Sequence, residues 1–318
     1  MKLYKSFLIV LSTLLIMNCN SNNDEQLMEK AKELSQKFII TDGHIDTPWR
    51  MHKGGYEDIS VRTPGGDFDY VRAKQGGLDV PFMSIYVPAS YQVTGGAKDK
   101  ADELIGIVER VTTDHPDKFE IAHSVSDAER IVAEGKIALP MGMENGAPLE
   151  GDLSNLKYFR KRGISYITLT HAEDNDICDS SYNLGERTHN GLSEFGVEVV
   201  KKMNRIGIMV DISHVSDEAF YQVMDVTEVP AIATHSSCRH FTPGWERNMS
   251  DDMIKRLAEN GGVIQINFAS YFVDQPSKDS KGPIDADVSK YVADNNIDPQ
   301  DYAAYDAYKK EQYDKRFL

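Results

Sequence analysis

Cysteine is scarce, with three in 318 residues, too few for the disulfide framework that staples small secreted folds. Positive charge is in deficit too. Fifty acidic residues face 35 basic ones, for a formal net charge of −15. That excludes the basic footprint of a nucleic-acid binder and electrostatic adhesion to anionic lipid. No apolar run approaches the roughly 18 residues that cross a bilayer; the most apolar, FLIVLSTLLIM, occupies only 7–17. No G-x-G-x-x-G follows the first strand-like segment, so a dinucleotide-binding sheet would lack its phosphate cradle. Nothing points to redox chemistry.

What is there begins with a leader. Lys2 and Lys5 precede the short apolar run, and residues 1–18 read as a signal peptide. Cys19 follows directly, and the junction resembles a bacterial lipoprotein cleavage site with Cys19 as the lipidated N-terminus. This implies export to the bacterial cell envelope, periplasmic or surface, with a lipid anchor as the one membrane contact. Residues 19–26 then form a polar tether, and 27–318 the folded domain. Cys178 and Cys238 remain, and read as free, partly buried thiols.

Residues 25–37 space Leu27, Met28, Ala31 and Leu34 as an amphipathic helix. Apolar runs with no polar alternation, as in parallel strands buried on both faces, lie near 38–42, 80–87, 137–143, 164–170, 207–213, 230–235 and 262–268. Helical patterns alternate with them at about 98–113, 127–135, 194–205, 217–225 and 251–259, the 127–135 helix opening at a Ser126/Glu129 capping box and the last stopped by Gly261-Gly262. Such alternation predicts an α/β fold, either a doubly wound sheet or a (β/α)8 TIM-like barrel. The strands number seven. Residues 271–318 are polar and helical in pattern, so the expectation is a barrel truncated after its seventh strand, with a helical insertion at 271–318.

In such barrels the chemistry gathers at the C-terminal ends of the strands. His44 and Asp46 lie two apart after the first apolar run, on one face if the backbone is extended. Glu144 ends the third run, His171 the fourth, His214 the fifth and His235 the sixth. Four of the nine histidines thus fall on strand ends, while His52, His115, His123, His189 and His240 do not. Imidazoles and carboxylates without thiolate suit Zn²⁺, with Mn²⁺ or Co²⁺ as alternatives. The donors are too many for one open catalytic zinc. Two cations roughly 3.5–4 Å apart need an anion between them, and Glu144 is the natural bridge. A water shared by them would ionise near neutral pH and serve as a hydrolytic nucleophile.

Taken together, DGHIDTP, GMENG, YITLTH, GLSEFGVEVVKKMNRIGIMVDISHVSD, ATHSSCR, RNMSDDMI and ENGGVIQINF resemble, in this order, the membrane dipeptidase (renal dipeptidase-like) family of zinc hydrolases. The resemblance runs from about 37 to 273. It implies that His44 and Asp46 hold one zinc, that Glu144 bridges both, and that His214 and His235 complete the second. It implies that His171 hydrogen-bonds the scissile carbonyl and its oxyanion, and that an arginine pairs with the substrate's terminal carboxylate. Arg247 matches that place, but CRHFTPGWERN departs from the family in detail and leaves Arg239 a competitor. The implied activity is hydrolysis of dipeptides with a free C-terminal carboxylate, a D-residue being tolerated there. The partners expected are a dipeptide and at most a second copy of the chain. The family's proton-donating aspartate belongs to a GSDFDG-like stretch on an eighth strand, and no such stretch follows residue 268. Little or no turnover is therefore expected of residues 1–318. The rival expectations are another amidohydrolase on the same barrel, or a surface lipoprotein that binds peptide or metal without catalysis.

Overall fold

A computed structural model describes residues 24–297 and 302–317. The expected signal peptide, residues 1–18, and Cys19 lie outside the described residues. Among those described, no helix is long and apolar enough to cross a membrane.

Seven parallel strands form the main sheet: β1 (Ile40–Ile45), β2 (Leu78–Tyr86), β5 (Met141–Glu144), β6 (Ile164–Thr168), β7 (Met209–Asp211), β8 (Ile232–Ala233) and β9 (Val263–Ile264), neighbours in that order. Two short strands between them, β3 (Phe119–Glu120) and β4 (Ile137–Ala138), pair in a side sheet. The expected 137–143 strand is therefore two. Pro140 cannot donate to a ladder, and the chain changes sheets around it, with Met83 N donating to the Pro140 carbonyl at 2.8 Å.

The main sheet curls. In a flat sheet β1 and β8, five spacings apart, would be roughly 24 Å from one another; the rings of His44 and His235 at their ends have centroids 3.8 Å apart. The fold is thus an α/β barrel of the TIM type with seven strands among the described residues. Gly43 and Gln265 span the seam between its edges. Gly43 N donates to Gln265 Oε1 at 2.5 Å, and a side chain at Gly43 would put Cβ 2.8 Å from the Thr234 carbonyl.

The helices back the strands and start where serines can cap them. Ser193, Ser216 and Ser250 each accept from the amide three residues on, opening helices Glu194–Ile206, Asp217–Val226 and Asp251–Glu259. The helix Val125–Ala133 starts earlier than expected: its cap is Ser124, which accepts from Asp127 N, and Ser126 bonds only the Ser124 hydroxyl. Between helices and sheet lies one large apolar core, holding among others Ile85, Leu104, Ile105, Met143, Phe159, Val199 and Phe220. The 271–318 region is helical, at Gln275–Asp294 and Tyr302–Phe317. These two helices stack Tyr291 on Tyr308 at 3.7 Å.

Candidate metal centre

Five of the seven strand ends deliver polar side chains to the same mouth, β1 among them with His44 and Asp46. Glu144 is the last residue of β5 and is buried. His171 and His214 lie three residues past β6 and β7, and His235 two past β8. Two of the turns are strained. Asn145, after Glu144, has φ 84°, and His214 has φ 70°, the left-handed region a β-carbon disfavours. Ser181 N holds the His214 carbonyl at 2.8 Å.

Glu144 is the hub. Its Oε1 lies 3.2 Å from Nε2 of His214, 3.2 Å from Nε2 of His235 and 3.5 Å from Nε2 of His171; its Oε2 lies 3.4 Å from Nε2 of His44. Donors at about 2.0–2.1 Å from a tetrahedral zinc are about 3.4 Å from each other, so these spacings fit a shared cation. By distance the donors fall into two groups, His44 with Glu144 and His235, and Glu144 with His171 and His214. This differs from the expected grouping: His235 lies with His44 and not with His214, His171 takes the place beside His214, and Asp46 falls in neither group. Asp46 Oδ1 is 3.4 Å from Nε2 of His44, on a side chain 60% exposed. Among the described residues, the buried Nδ1 atoms of His171 and His214 have no hydrogen-bond partner. The donor set, all imidazole nitrogen and carboxylate oxygen, thus fits the Zn²⁺, Mn²⁺ or Co²⁺ that the sequence implies.

The electrostatics follow from packing these groups together. Burial opposes the charged form of Glu144, but His44 and His171, with hydrogen bonds from His214 and His235, hold its carboxyl well below the usual range. Burial likewise opposes a charged His44, yet Glu144, Tyr166 and Asp46 outweigh it and raise that imidazole well above its ordinary value. Burial, then the Arg247 guanidinium, pushes His214 well down. Burial, then His44, pushes His235 down. His171 also falls, from burial against the pull of Glu144.

The two arginines separate cleanly. Arg239 is spent on Asp217, in a fork of 2.7 and 2.5 Å. Arg247 is 2% exposed and lines the cleft. It donates to Ser236 Oγ at 2.7 Å, the His235 carbonyl at 2.6 Å and His214 Nε2 at 3.1 Å, while its buried Nε has no partner among the described residues. The cleft is about 790 Å³, with an apolar wall that includes Leu78, Ile266, Phe268 and Phe272. Tyr182 also lines it, from the loop after β6. It escaped sequence reasoning because a lone tyrosine in a polar loop carries no periodic signal. Tyr166 and Thr234, which touch the histidines, were hidden inside strand-like runs.

Several known proteins are similar to this chain. Residues 28–300 match the family model described as membrane dipeptidase (peptidase family M19). Dipeptidase tcpJ of Claviceps purpurea is 33% identical over 252 residues, covering 74% of this chain and 57% of that protein. The chain spans about half to two thirds of the length of the curated relatives it matches. Among solved structures, a probable dipeptidase, PvdM, of Pseudomonas aeruginosa is similar with TM-score 0.74 at 25% identity, over 92% of this chain and 79% of that one. A Rhodobacter sphaeroides metallo peptidase liganded with a phosphinate mimic of L-Ala-D-Ala shares the fold with TM-score 0.68 at 23% identity, over 76% of each chain.

Proposed function

Because this chain belongs to the membrane dipeptidase family, peptidase family M19, we propose that it is a metal-dependent dipeptidase acting on dipeptides with a free C-terminal carboxylate, a D-residue included. Two zinc ions are the proposed complement, Glu144 bridging them, His44 and Asp46 serving one and His214 and His235 the other. When bound, the metals supply Lewis acidity and a water acidic enough to act as nucleophile near neutral pH.

The rest of the work falls to the chain. His171 has one ring nitrogen near Glu144 and borders the cleft, which suits it to donate to the scissile carbonyl oxygen and to the negative charge that grows there. Arg247 offers its guanidinium to the terminal carboxylate, a planar partner for a planar anion. At the N-terminus, Cys19 is proposed to carry the lipid that keeps the protein at the cell envelope.

One observation carries the proposal: Glu144 with four imidazoles around it, beside a buried arginine with a donor unspent. The phosphinate mimic of L-Ala-D-Ala is the direct probe. Calorimetry of the zinc-loaded protein is expected to show binding that chelation and Glu144→Gln both abolish, and any D-Ala released from L-Ala-D-Ala must vanish under the same two treatments. Equal binding by metal-free protein, or D-Ala release that survives chelation, would sink it.

A further inference from the structure

We propose that the hydroxyls of Tyr166 and Thr234 are positioning groups that fix His44 and His235 in the tautomer whose bare nitrogen, Nε2, faces the metal. This rests on the functional reading above only in taking these two histidines as ligands.

A hydroxyl has one proton to give. Tyr166 Oη lies 2.9 Å from the Gly43 carbonyl oxygen, which can only accept, and 3.1 Å from His44 Nδ1. The phenol proton goes to the carbonyl. Its oxygen then meets Nδ1 as an acceptor, so Nδ1 carries hydrogen and Nε2 is the nitrogen left to bind metal, on the side of Glu144. Tyr166 is wholly buried, which keeps bulk solvent from competing for the phenol.

Thr234 repeats the device with different chemistry. Its Oγ1 lies 2.7 Å from Asp211 Oδ2 and 2.8 Å from His235 Nδ1. Asp211 is fully buried and ringed by donors. Ser213 N, Ser213 Oγ and Thr234 N reach Oδ1 at 3.0, 2.9 and 3.0 Å, and Thr168 Oγ1 reaches Oδ2 at 2.5 Å. A carboxylate so surrounded accepts from every side. Thr234 therefore gives its proton to Asp211 and takes the Nδ1 hydrogen of His235. Among the described residues, the buried Nδ1 atoms of His171 and His214 have no such partner; Arg247 Nη2, which can only donate, instead meets His214 at Nε2, at 3.1 Å.

Outer hydrogen bonds of this kind orient metal-binding imidazoles, and their loss typically costs about 10–100-fold in metal affinity. Long-range ¹H–¹⁵N correlation spectra of the zinc-loaded full chain are expected to show His44 and His235 each protonated at Nδ1 and bound through Nε2. Zinc affinity, measured by competition with a chelating dye, is expected to drop about 10–100-fold in Thr234→Val and in Tyr166→Phe, and Thr234→Ser is expected to restore it. Coordination of either histidine through Nδ1 would overturn the proposal, as would parent-like zinc affinity in both Thr234→Val and Tyr166→Phe. Wild-type protein with the expected tautomers and zinc affinity, yet unable to bind the phosphinate mimic, would sink the dipeptidase reading alone.

Discussion

His214 holds a left-handed backbone that costs about 1–3 kcal/mol in a residue with a β-carbon, and it is kept there by the Ser181 amide and a fully buried setting. Strain at a residue that also faces Glu144 is spent on aiming a ring. The protonation of its neighbour has a measurable consequence. His44 is raised well above its ordinary value, so below that value its proton must leave before metal binds. Apparent zinc affinity is expected to climb with pH by about tenfold per unit for this one proton, and to level once pH passes the raised value. Titration calorimetry in buffers of different ionisation heat reads the proton released; a flat profile from pH 6 to 9 would contradict it. In the metal-free protein the sign reverses for stability. The His44–Glu144 attraction is fully present below the unfolded imidazole value of about 6.5 and is lost as pH rises through the raised one. Arg247 offers a second single-residue test. Arg247→Lys keeps the charge but loses the fork, and is expected to weaken the phosphinate mimic about 10–100-fold, the worth of one charge-assisted hydrogen bond. Arg239→Lys, on the Asp217 side, is expected to leave mimic affinity within a few-fold.

At the scale of strands and helices, β5 and β6 pair so that Gly142 sits opposite Tyr166. The Tyr166 ring fills the place a side chain would take, since a Cβ at Gly142 would be 1.9 Å from its Cζ. Gly142→Ala is therefore expected to displace the phenol, cost about 1–3 kcal/mol by overpacking, and weaken zinc binding with it. Chemical denaturation and the dye competition measure the two effects. The inner main strands were legible because strands buried on both faces are bound to be continuous apolar runs; β1 and β9, the partly exposed edges, were legible from their apolar composition alone. Their neighbours were less so. The helix Thr47–Gly54 starts inside the metal motif and buries only Thr47, Pro48 and Met51, too few for a periodic stripe. Tyr70–Gly76 buries one residue, Ala73. Ser126 and Glu129 match a capping box in spacing, but two serines stand two apart and spacing alone cannot choose between them. The metal donors were legible for the same reason as the strands: each follows an apolar run that ends abruptly. Tyr182 and Gln265 were not, because what they do depends on contacts with distant loops and strands.

Across the whole molecule, the donors at 44, 144, 171, 214 and 235 come from five different strands of one curled sheet. Metal can bind them together only when all five are in place, so it stabilises the assembled fold and not its parts. At 100 times its dissociation constant, a metal that ignores the unfolded chain adds about 2.7 kcal/mol. At about 2–4 °C per kcal/mol for chains of 150–250 residues, the melting temperature is expected to rise on zinc addition by several degrees and to fall back with chelator. An unchanged melting curve at saturating zinc would mean the donors do not act as one site. The seam between β1 and β9 adds a local clock. One glutamine amide, Gln265, clasps the Gly43 N–H across it, and that proton trades for solvent deuterium only when the two edges part. Its exchange rate thus times the breathing of the open barrel, and an ion gripping His44 on one flank and His235 on the other is bound to slow it.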